Sequence, residues 1–583
     1  MKWPEFSACR FSITCGLTII LLAVLPLGAQ QASSESGGSA AQESAASSAL
    51  QGVYLVFPFE NAGASPSLDW LGEGFEELTI QRLAAAGEQV YSHEGRTEEL
   101  DRAGFPPTAK LSRASMLRIA QNMDADFVIF GRFTSDGKTL TVEGRVLRLS
   151  PIRMLPAVRE TGPLDSLMEL QLKLLWNLLR ENDPSYHQAQ EEFSRAQRPL
   201  RLDAFEHYVR GLRANDDDAR LRDLREAARL EPEWPDPDYA IGDVYYARRD
   251  CNSALPWFAR IPRTHDRYPE AIFETGVCHL LMNQSEQAET AFTALQDFLR
   301  GRVSNGTDLP EILNDLALAR AREGKLTPAI TDLQRAADED PEADDYSFNL
   351  GLLSYAAKDY SKAADYFRDA SGREPDNPDN RAMLILSLEK SGNQTEADEE
   401  RDTASETFGP DALPTMHLDG GKDALAKLER VRTELDTTAL RLDIVSAQAS
   451  ASASSPSAAA DTPASHVRRG RIDLAAGRVD DAEKEFRAAL ATDAKVASAH
   501  SGLAEVFRRR GKLDDSAQEL QNALQIRDSA VVRTALARIY IAQKKPDQAR
   551  AEVERALKLA PKYPEAKLLL DNLQKGKPSG VPQ

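Results

Sequence analysis

Few residues in this chain have the type and spacing to do chemistry. Gly72-Glu73-Gly74 resembles the start of a phosphate loop, where glycines let backbone amides approach an anion at a helix N-terminus. A dinucleotide fingerprint needs a third glycine at 77, where Glu77 stands, and Glu73, Glu76 and Glu77 would repel an anion. The segment reads as a strand-to-helix entry. His93-Glu94 lacks the second histidine of a zinc-protease helix, and the eight histidines show no paired spacing. Asp216-Asp217-Asp218 and Asp398-Glu399-Glu400 lack the ordering of a calcium loop and read as solvated helix ends. There is no phosphate loop with Gly-Lys-Ser/Thr, no nucleophile elbow and no kinase-type set. The expectation is a non-enzyme with no catalytic, cofactor or metal site and no small-molecule substrate.

Composition narrows the partners. Lys and Arg number 71 against 91 Asp and Glu, a net charge of -20, which excludes general phosphate-backbone binding and disfavours anionic membranes. No nucleic acid is therefore expected. At 583 residues the chain has room for roughly four units of ~150 residues. Lys2 and Arg10, the apolar run Leu17 to Leu25, and small residues at Gly28 and Ala29 read as a signal peptide over 1–29, cleaved after Ala29. The rival reading is a single-pass N-terminal anchor over Phe11 to Ala29. No cysteine follows the apolar core, so a lipoprotein acceptor is missing. Either way the body of the protein is expected outside the cytoplasm, in the periplasm or cell envelope. Cleavage leaves Cys251 and Cys278, enough for one disulfide.

These features need a frame to hold them. Residues 30–51, almost all Gln, Ala, Ser, Glu and Gly, read as a disordered linker. Val53 to Phe57 is a short apolar run suited to a strand buried on both faces. Helical spacing follows from Leu68 to Leu83 and from Leu111 to Met123, with Gln89-Val90-Tyr91 between them as a second strand. Phe127 to Phe130 and Thr139 to Leu149 read as a hairpin closed at Asp136-Gly137. Together they predict an α/β domain over 52–150, with connecting helices over 151–203.

The rest repeats. Gly242, Ala254 and Phe258 recur 34 residues later as Gly276, Ala288 and Phe292. Ala317, Ala329 and Leu333 recur as Gly351, Ala363 and Phe367, and Gly470 and Phe486 as Ala504 and Leu520, again 34 apart. That period with small-large-small spacing predicts antiparallel helix pairs stacked into a solenoid. About six repeats fit 204–402 and three fit 463–562, with a capping helix closing the second array at 575 and a tail over 576–583. Between the arrays lies a linker, 403–462, with low complexity over 447–464 and helical spacing through Leu425, Leu428, Val431 and Leu435. Two separately moving solenoids are expected. Cys251 starts the second helix of one repeat and Cys278 lies in the first helix of the next; a bond requires a Cα separation below about 7 Å, and both bonded and free thiols remain open.

These registers resemble tetratricopeptide repeats. The resemblance implies an all-α solenoid in which the first helix of each pair lines a concave face that binds protein or peptide segments. Carried onto this chain, it places Tyr239, Tyr246, Phe273, Phe348 and Tyr355 in the groove of the first array. It places Arg471, Arg508 and Arg538 in that of the second, a basic surface suited to an acidic guest. Phe57-Pro58-Phe59-Glu60-Asn61, Leu68 to Thr79 and Ala125 to Phe133 resemble the TolB amino-terminal-domain-like family, which implies an envelope-associated α/β domain and brings no catalytic residues. The expected function is a non-enzymatic exported scaffold or adaptor. The alternative is an envelope assembly or secretion component whose α/β domain oligomerises or docks on an outer-membrane machine.

Overall fold

A computed structural model describes residues 52–573, apart from 64, 107–108, 124, 150, 185, 187, 301–308, 340–342, 376, 410–426, 436–462, 476–478, 560–562, 564–565, 568 and 571–572. The signal segment, the spacer to 51, the low-complexity stretch to 462 and the tail from 576 fall outside the described residues.

The first domain is built on a mixed sheet. Its strands are β1 (Val53–Val56), β2 (Glu60–Asn61), β3 (Gln89–Val90), β4 (Phe127–Ser135), β5 (Thr139–Leu149), β6 (Ile152–Met154) and β7 (Val158–Pro163). The order is β3-β1-β4-β5-β6, with β2 also on β4 and β7 also on β5. β1 runs parallel to β3 and β4, and β4 and β5 form the hairpin turned at Asp136-Gly137. β1 is buried on both faces because its alternate side chains enter two cores. Val53 and Leu55 join Leu100 and Ile119 of α2 (His93–Arg102) and α3 (Arg113–Asn122). Tyr54 and Val56 join Phe75 and Leu178 of α1 (Trp70–Ala85) and α4 (Leu167–Asn182).

The sheet thus extends past residue 150 through β6 and β7, and α4 lies across it, with Gly162 facing the Leu170 side chain. Sequence spacing does not reveal α2, since Leu100 is the only large apolar residue in it; Ser92 caps it by accepting the Gly95 amide at 3.2 Å.

Nine helix pairs follow among the described residues. Six form the first array, from Leu202–Arg213 and Asp217–Leu230 to Pro378–Ser391 and Gln394–Phe408. Three form the second, from Pro463–Ala475 and Val479–Thr492 to Ala530–Ala542 and Pro546–Leu559. The repeat spacing has a direct cause. A Cβ on Gly242 would lie 2.5 Å from the ring of Phe258, one on Gly276 2.6 Å from Phe292, and one on Gly351 2.6 Å from Phe367. The aromatic of the second helix sits on the glycine of the first, and that contact holds these pairs closed. Ala566, Leu569 and Leu573 pack on the last pair.

The three parts touch. Phe205 of the first pair lies 6.2 Å from Trp70 of α1, continuing the sheet's core into the solenoid. Arg267 of the first array pairs with Glu94 of α2 at 2.7 Å. In the second array, Leu559 accepts from Arg118 of α3 at 2.7 Å and Arg527 donates to the Gln121 carbonyl. The α/β domain therefore bridges the arrays, where the sequence alone suggests independent movement. No helix among the described residues is long and apolar enough to cross a membrane.

Candidate peptide-binding groove

The helical spacing through Leu428, Val431 and Leu435 misleads: the chain from Lys427 to Leu435 forms no helix. It lies along the concave face of the first array. The residues that hold it come from the first helices of successive repeats, chiefly Pro310–Arg322 and Asp344–Ala356. Proline at the first position of the former helix suits the start of a helix, where no amide partner is lost.

The main chain is gripped first. The Asn349 carboxamide reads both polar groups of Arg430: its Oδ1 accepts the Arg430 amide at 3.0 Å and its Nδ2 donates to the Arg430 carbonyl at 2.9 Å. Asn314 Nδ2 donates to the same carbonyl at 3.0 Å, and Asn314 Oδ1 accepts from Asn349 at 2.8 Å. Two residues on, the Arg432 amide donates to Asp315 Oδ1 at 2.9 Å. Asp315 and Asn349 are 34 residues apart and each lies two residues before its repeat's small residue, Ala317 or Gly351. The segment thus engages one repeat after another, running opposite to the array. Tyr246, two repeats before Asp315's, donates its hydroxyl to the Thr433 carbonyl at 2.7 Å.

The side chains are gripped next. Arg430 lies 4.0 Å over the ring of Phe348, pairs with Asp344, Asp345 and Glu374, and donates to Asn380. Arg432 pairs with Asp345 at 3.0 Å and stands 5.1 Å over Tyr346. Glu429 meets Arg322 at 2.7 Å. Leu428 rests on the cluster around Phe367, and Val431 and Leu435 on that around Phe292. Burial drives the Asp315 carboxyl well above the usual carboxylate range, against the pull of the Arg432 amide and Asn314. Asp345 is likewise raised, first by burial and then by Asp344.

The five aromatics expected in this groove fall into different settings. Tyr246 touches the segment, and Phe348 presents its ring to Arg430. Yet Phe348 and Phe273 are each only 1 % exposed and pack edge-on against Phe367 and Phe292. Tyr355 is half-buried against Tyr360, and Tyr239 donates to Glu274 at 2.9 Å beneath Arg267. In the second array Arg508 is held by Glu505 of its own helix at 2.7 Å, Arg538 is half-buried, and exposed Arg471 lines a cavity of about 1360 Å³ between the α/β domain and both arrays. The sequence reading missed Asn349, Asp315, Asp345, Tyr346 and Asn380; polar residues recurring at repeat spacing on otherwise apolar helices were the available signal. Cys251 and Cys278 are disulfide-bonded, with Cα atoms 5.2 Å apart. Among the described residues no group of His, Cys, Asp or Glu is arranged to hold a metal ion.

The closed helix pairs and their concave face define a helical repeat solenoid. Comparison with protein families matches tetratricopeptide repeats over residues 314–378 and 467–531, and over 507–573. Tetratricopeptide repeats are therefore present in both arrays. Among solved structures, residues 41 to the end of MamA from Desulfovibrio magneticus RS-1 are 24 % identical, matching 30 % of this chain and 98 % of that one with a TM-score of 0.27. YrrB, described as a TPR protein with an unusual peptide-binding site, is 16 % identical over 33 % of this chain and 94 % of its own, with a TM-score of 0.28. A thermophilic TPR protein of Thermus thermophilus is 20 % identical over 40 % of this chain and 100 % of its own, with a TM-score of 0.18. Curated proteins give no match.

Proposed function

We propose that this protein is a non-enzymatic scaffold, exported to the periplasm or cell envelope, that binds extended segments of partner proteins in the groove of its first array. The observation that carries the reading is the grip of Asn314, Asn349 and Asp315 on the main chain of residues 430–432. Amide and carbonyl groups are common to every polypeptide, so such a grip suits chain segments as a class, and the charged slots around it choose among them. The basic n-region and short apolar core of residues 1–29 support export.

The first domain supports an envelope role by its TolB amino-terminal-like pieces, which meet in one place. Phe59 stacks 5.1 Å from Phe75, Phe75 lies 5.7 Å from Phe133, and the Phe57 amide donates to Ile129 at 2.9 Å. The test is crosslinking in native envelopes with the wild-type chain and with N314A/N349A. Partner adducts should form with the first and fall away with the second, and the exported chain should begin near Gln30. Equal adducts from both would place binding elsewhere.

A further inference from the structure

The groove's polar ladder is longer than the segment lying in it. Glu274 stands two residues before Gly276, as Asp315 stands before Ala317 and Asn349 before Gly351. The Arg430 amide uses Asn349 and the Arg432 amide uses Asp315, so the next amide on the same side, that of Glu434, would fall to Glu274. The resident chain does not supply it. Glu274 is buried and its Oε1 takes the Tyr239 hydroxyl, while its Oε2 has no hydrogen-bond partner. Asp315 Oδ2, on a side chain with no exposed surface, also has none. Buried polar atoms are ordinarily hydrogen-bonded, and the resident segment leaves these two carboxyl oxygens without a partner.

The occupant also differs from a permanent core element. None of residues 427–435 is fully buried, and its anchors are hydrogen bonds and ion pairs more than apolar side chains. A tethered segment of this kind sits at high effective concentration and excludes weaker guests, yet yields to a guest with one more contact.

Resting on the groove reading above, we infer that residues 427–435 are an internal pseudo-ligand and that the partner is an extended protein segment carrying an Arg-x-Arg pair, which displaces them and engages Glu274 as a third rung. The two arginines are demanded by adjoining slots that share Asp345: Phe348, Asp344 and Asn380 hold the first, and Tyr346 holds the second. The apolar residue between them faces the Phe292 cluster, as Val431 does.

The experiment titrates a labelled peptide of sequence Lys-Leu-Glu-Arg-Val-Arg-Thr-Glu-Leu, followed by fluorescence anisotropy, against four forms of the full chain. These are wild type, R430A/R432A, R430A/R432A with N314A/N349A, and R430A/R432A with E274A. R430A/R432A should bind at least about tenfold more tightly than wild type, because its own segment no longer competes. The clamp-deficient form should lose the peptide, E274A should weaken it because the untethered peptide is free to seat its eighth amide on Glu274, and a peptide with both arginines changed to Ala should fail. Equal binding by wild type and R430A/R432A would overturn the pseudo-ligand while leaving the groove standing. No binding by a folded R430A/R432A chain would overturn the groove itself. Unchanged binding by the E274A form would remove the third rung, and equal binding of the Arg-free peptide would overturn the ligand class. Should R430A/R432A fail to fold, R430Q serves in its place.

Discussion

The two arrays are made of the same repeat, and among the described residues only the first holds a chain in its groove. The position two residues before the small residue is Glu274, Asp315 and Asn349 in the first array, but Arg468, Gly502 and Ala535 in the second, before Gly470, Ala504 and Ala537, and none of those three residue types has a side-chain acceptor for a main-chain amide. The neighbouring hydroxyls of the second array turn inward: Ser501 and Thr534 donate to Ala497 and Ala530 of their own helices. Its arginines are partly spent too, Arg508 being bound by Glu505. The register that closes a helix pair is thus shared, while the polar side chains that grip a backbone in the first array have no counterpart at 502, where a Cβ would meet the Phe486 ring, or at 535. Stability and recognition are written at different positions of one repeat.

This division can be broken in order of size. Phe348→Ala should cost the most, about 3–5 kcal/mol, because the ring is buried against Phe367 and serves both roles. Urea unfolding measures it, and a loss below about 1 kcal/mol would make Phe348 a groove residue alone. Removing the Cys251–Cys278 bond comes next. It closes a separation of 27 residues and should be worth about 2–4 kcal/mol, read as a fall in the first array's melting temperature under reductant. Unreduced denatured protein, trimmed at Gln30, should show no free thiol.

Asn349→Ala should cost about 1–3 kcal/mol, since it strands the Arg430 amide and carbonyl and the Asn314 carboxamide. It should also expose Arg430 and Arg432 to trypsin. Ser501→Ala, beside the equivalent column of the second array, should change stability by less than about 0.5 kcal/mol.

A separate effect, outside both arrays, is a pH slope in the first domain. Glu77 is pushed up to about 7 by burial and then by Glu94 and Asp236, with His93 and Arg267 opposing. A carboxyl whose folded pKa exceeds its unfolded value of ~4.3 binds more protons folded, so its contribution favours folding at low pH and is lost as pH rises through about 7. Glu77→Gln should flatten that part of the stability profile between about pH 4 and 7; an unchanged profile would assign the slope to other groups.

Much of this was legible in the residues. Gly242–Phe258 and Gly276–Phe292 announce the helix pair because the contact that closes it is local and must recur. Val53 to Phe57 announces a doubly buried strand for a similar reason, its neighbours being apolar on both faces. The helix α2 stayed hidden because one leucine and a serine cap suffice to hold it once a sheet is there to cover. The segment at 427–435 misled for the opposite reason: its apolar residues have helical spacing, but Asn349 and Asp315 take its amides, and no helix can form while those donors are engaged elsewhere. Nothing local in the linker encodes that. The information lies in a column of the groove more than 80 residues away.

The first array grips a chain by its main chain. Amide hydrogen exchange at Arg430 and Arg432 in the intact protein tests it most directly. Both amides should be protected well beyond their neighbours Val431 and Thr433, and Asn349→Ala should abolish the protection at Arg430. Exchange of Arg430 and Arg432 at the rate of a free peptide in the wild-type chain would contradict the account.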